Sequence, residues 1–322
     1  MNKKGNQQFR GWSENAEIAY SDDFFKTKTT ILEGGNKFLV TKSFFFGVQV
    51  DDEDTQNVRL LIGPSNTNKY RLEPIVLPTR KQKKKKGSGK LLDHSYTILD
   101  TGEDQVFLHI NHEGERSKYG NIYISDSTGI RYSLSLHGNV RSLNGQCDFE
   151  SVSGLEGIFL ANVYDPQILN KIKSDGGASQ EIATSSQSSK PTGKVKAYQT
   201  SSSSSKDKEH RLKELDQYKM TMVTFDKGGI WDRLRPPKKD AKGNRIECED
   251  EDGCYLNLHS ISNTKYGPMY TTENSLGIVI GVGNIGKHLS NKEDEVNTYL
   301  SRDGGLNWFE VRDEFADLVL KV

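Results

Sequence analysis

Few residues in this chain stand in arrangements that could do chemistry, and each arrangement competes with a structural use. The stretch VTFDKGGIWDRL, Val223 to Leu234, sets Asp226 ahead of two glycines and Trp231. A phosphate loop needs Lys-Ser/Thr after its glycines, and Ile230 and Trp231 stand there instead. GVGNIG, Gly281 to Gly286, has the glycine spacing of a dinucleotide fingerprint. It runs into the polar KHLSNKEDEV, with no amphipathic helix and no acidic strand end to follow, so no cofactor is expected. His109 and His112 lie three apart at a strand end with no Cys or further His close by, and no metal is expected there. Cys248 and Cys254 enclose five residues in CEDEDGC. They could close a small disulfide loop, stay reduced or join a metal site; a disulfide is the preferred reading, which leaves Cys147 without an obvious partner.

The aspartate turn recurs. TFDKGGIW places Thr224, Asp226, Gly228 and Trp231 at the same spacing as Ser301, Asp303, Gly305 and Trp308 in SRDGGLNW. SDSTGIRY repeats it loosely through Ser125, Gly129 and Tyr132, with Ser127 in the aspartate position, and SDDFFKTK, Ser21 to Lys28, lacks both the glycine and the closing aromatic. The chemistry of the motif is structural. A strand ends at Ser/Thr, the carboxylate accepts backbone N–H bonds inside the turn, and the glycine takes a backbone angle other residues resist. The aromatic then opens the return strand and plugs the gap between neighbouring hairpins. These aspartates are expected to brace turns, not to catalyse.

The elements that must carry such turns are short strands. KFLVTKSFFFGVQV, VRLLI, SYTILD, QVFLHI, NIYIS, RYSLSL, GIFLANV, KMTMVTF, YLNLHSI, LGIVIGVG and TYLSR favour Val, Ile, Phe, Tyr and Thr and are broken by Gly, Asp and Asn. Many even-sized strands with repeated turns predict an all-β propeller or sandwich. Two biased segments interrupt them: a lysine-rich loop at 80–90 and a Gly/Ser/Gln-rich insertion with a charged end at 171–217, which is expected to be disordered apart from a short exposed helix in the charged run. The chain has 322 residues with 44 basic and 44 acidic side chains. That balance, and the absence of aromatics interleaved with the lysine run, argue against a nucleic-acid partner. No run is apolar and long enough to span a bilayer as a helix.

With these residues in view, the chain resembles the Vps10p domain of the sortilin-type sorting receptors. MVTFDKGGIWDRLRPP followed by CEDEDGCYLNLH carries the strongest likeness: an aspartate-box hairpin, a proline pair and a two-cysteine loop ahead of a Leu-His strand, in the family's order. HINHEGERSKYGNIYISDSTGIRYSLSL and CDFESVSGLEGIFLANV resemble another blade and the strand leading out of it. SLGIVIGVGNIGKHL and YLSRDGGLNWFEV resemble the closing part of the propeller, with the glycines as strand-end turns. The resemblance implies a partial ten-bladed β-propeller over residues 1–322, about its second half. It further implies a lumenal or extracellular part of a type I membrane protein cycling between Golgi, endosome and surface, anchored through a segment outside this chain. Peptides or secreted proteins would be its ligands, and Cys248–Cys254 the family's small disulfide. In peptide-binding members an inner-rim arginine holds the ligand's C-terminal carboxylate. That register falls near Asn57, with Arg59 two residues on, and sets Gly47 and Val48 on the tunnel wall.

Two other functions fit an aspartate-box propeller. An intracellular scaffold is favoured by the absence of any N-x-Ser/Thr sequon, and opposed by the two-cysteine loop. A sialidase-like glycoside hydrolase needs an arginine cluster and a Tyr/Glu pair; Arg59, Arg71, Arg131 and Arg141 are scattered, while Tyr299 and Glu310 flank the last turn.

Overall fold

The computed structural model describes residues 16–50, 57–65, 71–78, 91–92, 95–102, 104–112, 117–177, 214–247 and 253–311. A hairpin, β1 (Glu17–Tyr20) with β2 (Thr29–Glu33), comes first and is followed by four antiparallel units. Unit one contains β3 (Gly35–Val40), β4 (Phe44–Val50), β5 (Asn57–Pro64) and β6 (Glu73–Pro74), with β7 (Leu91–Leu92) pairing the start of β5. Unit two contains β8 (Tyr96–Asp100), β9 (Phe107–Ile110), β10 (Tyr119–Ser125) and β11 (Tyr132–Val140). Unit three contains β12 (Phe149–Ser151), β13 (Phe159–Tyr164), β14 (Lys219–Thr224) and β15 (Asp232–Arg233). Unit four contains β16 (Tyr255–Leu258), β17 (Tyr270–Thr271), β18 (Val279–Gly286), β19 (Asn297–Ser301) and β20 (Trp308–Glu310). The fold is all-β and propeller-like.

Alternation explains how the units stack. The second strand of units one, two and three is covered on both faces, so β13 is buried throughout as FLANVY, β9 as FLHI and β4 nearly throughout as FFFGVQV. One apolar core joins Phe44, Phe46, Val58, Leu60 and Ile62 of unit one to Val106, Leu108 and Ile110 beside unit two. A second joins Phe107, Ile122 and Leu136 to Phe159, Ala161, Val163 and Met220. A third joins Leu160, Val223 and Leu234 to Leu256, Leu258, Val279, Tyr299 and Trp308. Each unit therefore has no core of its own; its apolar faces are completed by its neighbours.

Units two and three are bridged where Asn139 near the end of β11 pairs with Val163 in β13, and within unit four β16 pairs along β18 from Tyr255↔Gly286 to Leu258↔Gly283. The glycines of GVGNIG lie inside β18, not in strand-end turns. A Cβ on Gly283 would collide with the Asn257 carbonyl, so the residue is small because another backbone presses against it.

The segment expected as a disordered insertion opens with structure. Helix α1 (Pro166–Gly177) begins ahead of residue 171, and a 3-10 turn covers Asp216–Tyr218. Ile168, Leu169 and Ile172 form a helical stripe packed with Val140, Tyr164 and Leu215. Composition hid this, because the Ser-, Gly- and Gln-rich stretch between the two stems outweighs their few apolar residues. The lysine-rich loop at 80–90 and the middle of the insertion lie outside the described residues.

Candidate functional site

Three aspartate turns share one hydrogen-bond pattern. Thr224 Oγ1 accepts the Gly228 N–H at 3.0 Å and Asp226 Oδ1 accepts the Ile230 N–H at 2.9 Å. Ser301 Oγ accepts the Gly305 N–H at 2.8 Å and Asp303 Oδ1 the Asn307 N–H at 2.9 Å. The degenerate copy makes the same bonds: Ser21 Oγ accepts from Phe25 N–H at 2.8 Å, and Asp23 Oδ1 from Thr27 N–H at 2.9 Å. Phe24 and Phe25 hold left-handed φ angles of 58° and 63°, where the other turns place Lys227–Gly228 and Gly304–Gly305. The Ile230 N–H, then the Thr224 hydroxyl, hold the Asp226 carboxyl below the ordinary carboxylate range, as befits an ionised acceptor.

SDSTGIRY differs from its expected register. The brace is Asp126, not position 127. Its Oδ1 accepts the Thr128 and Ile130 N–H groups at 3.2 and 3.3 Å, while Ser125 Oγ accepts the Val106 N–H at 2.9 Å. This turn uses one left-handed residue, Gly129 at φ 74°, instead of two, so the carboxylate sits one place closer to the strand. Tyr132 is buried at the start of β11.

The turns of units two, three and four also wedge against the preceding unit. Gly129 abuts Phe44 and Ile62, Gly228 abuts Ser135 and Phe107, and Gly304 abuts Leu155 and Ile158. Ser135 Oγ donates to the Gly228 carbonyl at 2.6 Å and accepts the Trp231 indole N–H at 3.0 Å. Trp308 is buried, and its indole donates to the Gly305 carbonyl at 2.9 Å.

The residues expected on a tunnel wall divide. Val48 is 4% exposed in the core between units one and two. Gly47 is buried too, facing Leu32 and Leu72. Neither lines an open wall, because β4 is covered on both faces. Asn57 and Arg59 do reach the surface and share one face of β5, opposite buried Val58 and Leu60. A separate groove of about 500 Å³ opens at the other end of this strand pair, lined in part by Lys42, Ser43, Arg71, Glu73 and Asp104. Asn57 and Arg59 take no part in it.

Among the described residues, the hydrolase candidates are spread over different elements. Arg59 and Arg71 belong to unit one, and Arg131 and Arg141 flank opposite ends of β11. Tyr299 pairs with Glu310 across β19 and β20 but is buried, and burial followed by the Glu310 charge pushes its hydroxyl up to about 12. His112 meets the Tyr123 hydroxyl at 2.7 Å, while His109 is buried beside the Asn139 backbone. Among the described residues no group of acidic, His and Cys side chains could hold a metal ion.

Sequence reasoning passed over a polar junction between units three and four. Asn162 Nδ2 donates to Asp148 at 3.2 Å and to the Leu258 carbonyl at 3.1 Å, and Thr221 Oγ1 donates to Asn162 Oδ1 at 2.7 Å. Ser262 donates its N–H and its hydroxyl to Asp148, both at 2.8 Å. Arg233 stacks on Tyr255 at 4.2 Å and donates to Asn257 Oδ1 at 3.0 Å. Burial pushes the Asp148 and Glu150 carboxyls up. The signal was there: FLANVY and YLNLH each set an Asn within an apolar strand, where it must find partners.

The sortilin/Vps10 family model, described as "Sortilin, neurotensin receptor 3", matches residues 1–186 and 196–317. The chain belongs to the sortilin–Vps10 family. Relatives named vacuolar protein sorting/targeting protein 10 agree. That of Aspergillus fumigatus is 31% identical over 68% of this chain and 12% of its own length, and that of Mycosarcoma maydis is 28% identical over 98% and 18%. The chain thus spans less than a fifth of these Vps10 relatives. Among solved structures, the AtxE2 isopeptidase matches at a TM-score of 0.25 and 10% identity, over 85% of this chain and 44% of its own, a likeness too slight to bear on fold or chemistry.

Proposed function

We propose that this chain is ligand-binding scaffolding of a sorting receptor: its units present peptide or secreted-protein ligands to Golgi–endosome traffic from the lumenal side. The family match carries the sorting role. The observation that supports ligand capture here is Asn57 and Arg59 on one face of β5, two residues apart and therefore about 7 Å along the strand. A guanidinium beside an amide offers donors for a peptide's terminal carboxylate. Isothermal titration with a peptide library, each peptide free or amidated at its C-terminus, tests this. Arg59→Ala should weaken the free-acid peptides about tenfold or more and leave amidated ones unchanged; equal loss for both would remove Arg59 from the site.

The lumenal placement rests on the cysteines. Cys147 is free and buried, Cys254 is disulfide-bonded, and Cys248 lies outside the described residues. We take Cys248–Cys254 as the pair. Peptide mapping of unreduced protein from its native host should recover that cross-link, whereas free thiols at both positions would favour an intracellular scaffold.

A further inference from the structure

Just beyond β15 the chain turns out of unit three into a short hairpin. Leu234 roots it, buried in the core between units three and four and paired with Leu256 of β16. Lys239 then pairs antiparallel with Arg245. The Asp240 N–H on the Asn244 carbonyl at 2.9 Å and the Ile246 N–H on the Lys238 carbonyl at 3.1 Å close the pair. In a chain whose 44 basic and 44 acidic residues cancel, this hairpin is one-sidedly basic. Arg235, Lys238, Lys239, Lys242 and Arg245 are all exposed, and among the described residues none of them makes an ion pair. Asp240 is the only carboxylate from Arg235 to Arg245, and the turn consumes it. Its Oδ1 accepts the Lys242 and Asn244 N–H groups at 2.9 and 2.8 Å, and its Oδ2 accepts the Asn244 side-chain amide at 2.9 Å. Glu247 is exposed and in no ion pair with the five, and Glu249 to Asp252 lie outside the described residues.

The register makes this charge costly. The two hydrogen bonds flank Lys239 and Arg245, which are therefore a non-hydrogen-bonded pair with α-carbons only about 4.5 Å apart. Like charges set directly opposite destabilise paired strands. Residue choice and local fold disagree here, as they do where a side chain serves something other than stability. An anion seated between the two heads removes the repulsion.

We propose that this hairpin is a docking surface for an acidic peptide segment of a protein ligand, centred on the Lys239–Arg245 pair. It goes beyond the Asn57–Arg59 reading, because it takes side-chain carboxylates and not a chain terminus. Three rungs of hairpin make a track of roughly 10 Å, which holds about two or three carboxylates; a sulfated polysaccharide needs a longer one. No large apolar side chain is exposed from Arg235 to Glu247 to enter a bilayer, and no aromatic stands there to stack a base. The hairpin follows the edge strand of its sheet, and both stacking faces of unit three are already filled by units two and four. The surface is thus left open by the stacking of units on either side of it.

Fluorescence anisotropy on the full chain tests this with labelled hexaglutamate, acetylated and amidated so that it has no free C-terminal carboxylate, and with hexaglutamine as control. Hexaglutamate should bind, with an affinity that falls steeply from about 50 to about 300 mM salt, and hexaglutamine should not. Lys239→Gln with Arg245→Gln should weaken binding about fivefold or more. Arg59→Ala should change nothing, which separates this surface from the terminal-carboxylate site. Lys239→Glu gives a reading that misfolding cannot imitate: it sets opposite charges across the pair, so it should lose hexaglutamate and melt no lower than the parent. Parent-like binding by either Lys239 variant, or no binding of hexaglutamate to the parent, overturns the proposal. Capture of heparin or of phosphatidylserine vesicles without hexaglutamate overturns it in favour of a sulfated sugar or a membrane. A lowered melting temperature in Lys239→Glu would remove the repulsion on which it stands.

Discussion

At the residue scale the chain works by local acceptors. Gly228 takes a φ of 83°, and a Cβ there would stand 2.8 Å from Ser135 Oγ and 2.9 Å from Phe107. Gly228→Ala should therefore cost about 1–3 kcal/mol through strain and the spread of units two and three, read as a lower urea midpoint at unchanged slope. The buried imidazoles give a pH dependence. Burial, then Arg141, draws His109 down to about 3, and burial draws His259 down to about 4. Both fall below the ordinary value near 6.5, so the unfolded chain takes these protons first. Their contribution is complete above pH 6.5 and is lost as pH falls toward 4, at up to about 1.4 kcal/mol per pH unit for each imidazole. Asp148 and Glu150 act with the opposite sign, since their raised values favour the protonated fold as pH drops. Thermal melts from pH 7 to 5 should show a falling Tm, and His109→Asn with His259→Asn should flatten that slope; an unchanged slope would mean other groups set it. The residues of the two full aspartate boxes were legible because Ser/Thr, Asp and Gly each have one physical reason to stand where they do. Asp126 was misplaced because spacing alone cannot count how many left-handed residues a turn will use.

At the element scale the strands were legible and their environments less so. Alternation reveals that a strand has two faces, but not that both are covered, and this is why Val48 falls in a core instead of along a wall. Strand-interior glycines were mistaken for turns for a related reason: Gly283 answers to a backbone arriving from β16, far away in sequence. Gly283→Ala should part β16 from β18 at a cost of roughly 3 kcal/mol or more, in the class of overpacking against an unyielding backbone. Hydrogen exchange should then accelerate at Tyr255–Leu258 while β8 to β10 remain protected. Asn162→Ala tests the polar junction differently. It removes a donor from buried Asp148 and leaves the Thr221 hydroxyl donating only through its longer bond to the Leu258 carbonyl, an expected loss of about 1–3 kcal/mol. Asn162→Asp should be no better, because it sets a second carboxylate against Asp148.

At the scale of the whole molecule, stability belongs to interfaces between units. Three cores sit between neighbours, so deleting any internal unit exposes two faces at once. Truncation after Val311 should be tolerated far better than removal of β8 to β11, with retained soluble expression as the measure. The family was legible from linear motifs, whereas the partners of Asn162 needed coordinates, since Asp148, Thr221 and Leu258 reach it from three separate segments.

The order in which paired strands occur along the chain also bears on how the chain is made. β16 leaves the ribosome before the strand it pairs with, β18, and β11 before β13. β16, and the Asn139 end of β11, must wait without these partners until β18 and β13 emerge, which at ~5–20 residues per second takes on the order of seconds. β16 and the tail of β11 are thus the segments left without a partner during synthesis, and those a chaperone would meet first.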